Sequence, residues 1–175
     1  QTHSIEAASD GIVTRGVLLD IAGVRGVDWL PADEPVMPHD LEAAEEKQGV
    51  RVEEGDVLFV RTGNYRKRLE SGPVPNTEPM TACQVACTPW FKDRGVAMLG
   101  TDTSNDVRPS QYATIVSPLH TVCLVTLGLW LIDNANLEEL SQACRQRGRY
   151  EFMVALGPLK LRNVTGSPVN PIAVF

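Results

Sequence analysis

The chain has 175 residues, 43% apolar and 22% charged, enough for one domain with a buried core. Sixteen basic against 22 acidic residues give a net charge of −6, which argues against a nucleic-acid backbone as partner. Four cysteines (Cys83, Cys87, Cys123, Cys144) include no CxxC pair, and with three histidines a closed Cys/His zinc site is not expected. Reduced, semi-buried thiols suit a cytoplasmic protein.

In chain order, Ile12-Val13 and Val17 to Leu19 read as a strand ending at Asp20, followed by a turn-rich stretch from Gly23 to Pro38. Asp40 to Gln48 reads as a helix: Pro38 suits its first turn, acids fill its start and Gly49 stops it. GDVLFVRTG contains a buried strand, Val57 to Arg61, followed by a helical turn over Asn64 to Glu70 and a loop from Ser71 to Pro79. Thr88-Pro89 predicts a helix start with Thr88 as N-cap, running to Arg94. Val96 to Leu99 reads as a second buried strand leading into GTDTSND. Pro118 to Leu127 predicts a helix and Leu129 to Ile132 a strand; Leu137 to Arg147 is a further helix with Asn136 as N-cap, Glu151 to Leu161 a strand and Ile172 to Phe175 a last short one. Strands alternating with helices indicate an α/β fold.

Ala113 to Ile132 has twenty residues without Asp, Glu, Lys or Arg, but it holds Pro118 and Gly128 and lacks a basic flank, so no membrane span is expected. Within it His120 precedes twelve uncharged residues closed by Asp133. In one continuous helix the two would stand ~20 Å apart on different faces. A helix stopping near Gly128 and a returning strand would bring them together. His120 is then either half of a site or a core histidine bonded to a backbone carbonyl. GTDTSND, at the end of a strand, suits a ligand site or a structural turn. Asp102 within it and Arg61 at the end of the preceding strand are the substrate-binding candidates. Cys123, three residues after His120, offers a thiol nucleophile only in an apolar run that raises its pKa.

GIVTRGVLLDIA, GDVLFVRTG, GTDTSND, His120 with Leu129 to Asn134, and PLKLRNVTGSPVNPIAVF, in that order, resemble the C-terminal part of the putative-cyclase family of metal-dependent hydrolases, which includes bacterial kynurenine formamidase and isatin hydrolase. The resemblance implies one cyclase-like domain of swivelling β/β/α type over residues 1–175. It also implies a divalent zinc or manganese ion whose water opens an amide, often a cyclic one. By the resemblance, His120 matches the family's later metal-site histidine and Asp133 stands where many members have a ligating glutamate, one methylene longer. The family's principal metal motif, His-x-Gly-Thr-His-x-Asp-x-Pro, does not occur in these residues, and His3, His39 and His120 show no HxxxH spacing. The chain is accordingly expected to be the C-terminal portion of an amide hydrolase and inactive alone. The alternative is a non-catalytic relative acting as a binding module. A small-molecule amide is the expected substrate, and a homo-oligomer or an accompanying N-terminal chain the expected assembly.

Overall fold

The computed structural model describes residues 4–75 and 77–175; His3 lies outside them. β1 (Ile12–Asp20) and β2 (Val57–Arg61) pair in parallel, with Leu18 opposite Phe59, and both are buried where they meet. Such near-continuous apolar runs are what strands covered on both faces need. β3 (Met98–Thr101) and β4 (Trp130–Ile132) extend the parallel sheet on one side. β5 (Glu151–Leu156) and β6 (Ile172–Val174) extend it antiparallel on the other. The order is β4-β3-β2-β1-β5-β6, confirming a mixed α/β fold.

One face of the sheet packs Val17, Leu19, Leu58, Val60 and Leu99 beneath α1 (Ile21–Arg25), α2 (Pro38–Gln48), α4 (Thr88–Asp93) and the segment after Pro118. The opposite face packs Leu18, Phe59, Met98 and Phe152 beneath α6 (Glu138–Arg147). Between β2 and α4, α3 (Asn64–Ser71) buries none of its residues.

The sequence-predicted elements survive with local corrections. α1 occupies part of the stretch read as turns, because Asp20 caps it by accepting from the Gly23 N–H at 2.9 Å. Thr88 is the first residue of α4 rather than its cap, and its hydroxyl donates back to Val85 O at 2.8 Å. β3 starts two residues later than Val96, since the Val96 and Ala97 N–H groups are engaged by Phe91 O and Asp56 O. β5 stops at Leu156, short of Leu161, where Gly157-Pro158 ends the ladder. Glu138 opens α6; Asn136 lies outside it and accepts from the Glu138 N–H at 3.2 Å. Among the described residues no helix is long and apolar enough to cross a membrane.

Candidate metal-binding site

α5 (Pro118–His120) passes directly into a π-helix, Thr121–Leu127, closed by Gly128 in the left-handed region at φ 66. The Leu129 N–H then bonds Cys123 O at 2.9 Å, and the chain returns as β4, parallel to β3. His120 and Asp133 thereby meet at the carboxyl end of the parallel sheet, where open α/β sheets bind ligands. His120 Nε2 lies 3.4 Å from Asp133 Oδ2.

The other imidazole nitrogen, Nδ1, is 2.5 Å from Asp106 Oδ2, and Asp106 Oδ1 accepts from the Leu119 N–H at 2.7 Å. Asp106 is thus fixed by the backbone of the helix it serves, and it orients the ring. Asn105, fully buried with φ 60, donates to Asp133 Oδ1 at 2.6 Å and to Ile132 O at 3.0 Å. Hydrogen bonds from His120 to Asp106 and to Asp133 outweigh partial burial and raise the His120 pKa to about 9. Burial acts to raise that of Asp133, but its bonds to His120 and Asn105 prevail and lower it.

The donor set fits a metal on one side. Two ligands bound at 2.0–2.2 Å to one tetrahedral ion stand ~3.4 Å apart, which is the observed separation of His120 Nε2 and Asp133 Oδ2. A carboxylate on Nδ1 is the usual outer support of a metal-binding histidine. Among the described residues, no group of three or more His, Cys, Asp or Glu side chains converges to hold an ion, so these residues offer an incomplete set of ligands.

Arg61 and Asp102, the substrate-binding candidates, are both buried and bonded internally. Arg61 is 3% exposed; its Nε and Nη2 each reach Glu138 at 2.8 Å, and its Nη1 reaches Asp20 at 2.8 Å. Burial opposes the charge, yet the two carboxylates hold the guanidinium protonated. Asp20 also accepts from Ser141 and Arg145, so this cluster ties β1 and β2 to α6. Asp102 is wholly buried; its Oδ1 accepts from the Thr62 N–H and hydroxyl at 2.9 and 2.8 Å, fixing the turn into α3. Burial raises its pKa. GTDTSND therefore supplies both readings: a structural turn at Asp102 and the supports of the site at Asn105 and Asp106.

The cysteines are free and fully buried rather than semi-buried. Burial pushes the Cys123 thiol up to about 12, which removes it as a nucleophile. His39 is on α2 with its side chain 76% exposed, away from these groups.

Residues 1–105 match the family model described as "Putative cyclase". A crystal structure described as a novel cyclase is 33% identical, with a TM-score of 0.86 over 98% of this chain and 57% of that one. Isatin hydrolase A from Labrenzia aggregata, solved with benzyl benzoate bound, is 21% identical with a TM-score of 0.72, covering 97% of this chain and 64% of its own. A predicted metal-dependent hydrolase from Bacillus stearothermophilus is 16% identical with a TM-score of 0.64, covering 92% and 63%. At these identities the last two show the fold. The chain spans about three fifths of the length of these relatives. Comparison with curated proteins finds no match. The sequence match and the 33%-identical structure agree over the same scaffold, and the chain belongs to the putative cyclase family.

Proposed function

We propose that this chain carries one half of the metal site of an amide hydrolase acting on cyclic amides or N-formyl groups. The observation that carries the reading is the imidazole of His120 set between Asp106 and Asp133, 2.5 and 3.4 Å away, at the carboxyl end of a cyclase-family sheet. Asp106 accepts from Nδ1, so Nε2 is the nitrogen that turns to Asp133 and the one that would give up its proton to a metal. Asn105 fixes one Asp133 oxygen and leaves the other beside Nε2. A zinc or manganese ion, when bound, supplies a water of lowered pKa and polarises the carbonyl. His120 and Asp133 are the residues here that would hold it.

Catalytic zinc sites usually take three protein ligands and keep one position open. The 175-residue chain alone should therefore turn over amides poorly, and a protein of its relatives' full length should complete the site. A non-catalytic binding role is the competing reading, favoured by the two-ligand set. Assay of both lengths on N-formylkynurenine and isatin, with added zinc or manganese, decides between them. Metal-dependent turnover by the longer protein, lost in His120→Ala and kept in His39→Ala, is the expected result. Absence of turnover at both lengths would sink the hydrolase reading, and strong turnover by the short chain would overturn the ligand count.

A further inference from the structure

We propose that Arg68 is the anion anchor of the His120–Asp133 site, and that the amide bound there carries a carboxylate beside the bond to be cut. The proposal rests on the hydrolase reading and narrows its substrate class. α3 leaves the sheet immediately after β2, with its entry turn pinned by Asp102 on Thr62. In its second half Arg68 reaches past the end of β3 to the loop after β4, where Nη1 donates to Asn134 Oδ1 at 3.2 Å. Asn134 directly follows Asp133, has φ 57, and is held through its N–H by Thr103 O at 2.7 Å. The guanidinium is thus brought to the neighbour of a candidate ligand by segments that are themselves fixed.

Position rather than pairing alone sets Arg68 apart: Arg51, Arg147, Arg149 and Arg162 also meet no carboxylate among the described residues, but Arg68 is the one bonded to the neighbour of Asp133. Arg15, Arg25, Arg61, Arg66, Arg94 and Arg145 each meet at least one carboxylate. Arg66, two positions earlier on α3, is held by Asp28 and Glu70. Arg68 has no acidic partner among the described residues, and its bond to Asn134 goes to a neutral amide oxygen. A guanidinium presents five N–H donors in a planar fork matched to a carboxylate. Asp106 and Asp133 would repel an anionic substrate, so a cation next to them is what allows such a substrate to bind.

The test is binding to the metal-free protein, followed by NMR titration with 2-formamidobenzoate and with its neutral counterpart, formanilide. The wild-type protein should prefer the acid. Arg68→Gln should weaken binding of the acid roughly tenfold, the scale of a lost charge-assisted pair, and leave formanilide unchanged. Arg68→Lys should restore part of the preference, and Arg66→Gln should preserve it. α3 buries no residue, so these variants should fold, as thermal melts will show. The proposal is overturned if the wild type does not distinguish the two probes, or if Arg68→Gln keeps the distinction. Because no metal is present, failed turnover in the hydrolase assay cannot be mistaken for either outcome.

Discussion

His120 sits between two carboxylates, so its protonation is coupled to the fold. Its pKa is about 9 in the folded chain, by its bonds to Asp106 and then Asp133, against ~6.5 in an unfolded one. Between these values the folded state keeps a proton that the unfolded state has lost. The resulting stabilisation is complete below pH ~6.5 and disappears as pH rises through about 9. In metal-free protein the urea midpoint should fall across that window, and the fall should shrink in Asp106→Asn, which keeps an acceptor for the Leu119 N–H but removes the charge. An NMR titration placing His120 near 6.5 in the wild type would contradict the clamp. Zinc affinity should strengthen over the same range, because the metal competes with a proton for Nε2. The pairing of His120 with Asp133 is one of two geometries the sequence leaves open, and the left-handed Gly128 that ends the helix decides for it. Asp106 is not: it lies fourteen residues before His120, and nothing in GTDTSND separates it from Asp102. Only the backbone of that turn decides which acid is buried under Thr62 and which faces the ring.

At the scale of elements, glycines fix the two corners that place the candidate groups. Gly128 ends the π-helix at φ 66, and a Cβ there would meet nothing within 4 Å. Gly63 opens α3 at φ 82, and a Cβ there would lie 2.1 Å from Asp28 O and 2.6 Å from Trp29 Cα. Gly128→Ala should therefore cost only the left-handed strain, ~1 kcal/mol. Gly63→Ala must also displace backbone and should cost ~3 kcal/mol or more. Urea denaturation of the two variants measures the difference, and equal losses would refute the account. Strands were readable wherever burial makes them uniformly apolar, as in Val57–Arg61. The start of β3 was not, because Val96 and Ala97 are as apolar as the strand, but the Val96 N–H goes back to Phe91 O in α4 and the Ala97 N–H to Asp56 O just ahead of β2. The π-helix has no compositional mark: Thr121–Leu127 carries the same apolar pattern as an α-helix, and the wider turn shows only in its hydrogen bonds.

Across the whole molecule, apolar side chains remain uncovered at one end of the sheet. Val13 pairs with Ala155, which pairs with Ile172, and Met153 pairs with Val174 in the next row. Val13 is 68% exposed, Ile172 56%, Met153 47% and Val174 45%. These residues face the same side of β1, β5 and β6, and β6 is an edge strand with all three of its residues exposed. Contiguous apolar surface and an open strand edge are both uncommon on a free monomer. We propose that this face is covered in solution by a second copy of this chain. Light scattering of the purified 19.1 kDa chain should then give a mass above that of one copy. Met153→Lys with Val174→Lys, both outward-facing and exposed, should shift it toward the monomer while leaving the circular-dichroism spectrum of the fold unchanged, since neither side chain belongs to the core. A monodisperse monomer for the unsubstituted chain would overturn the proposal.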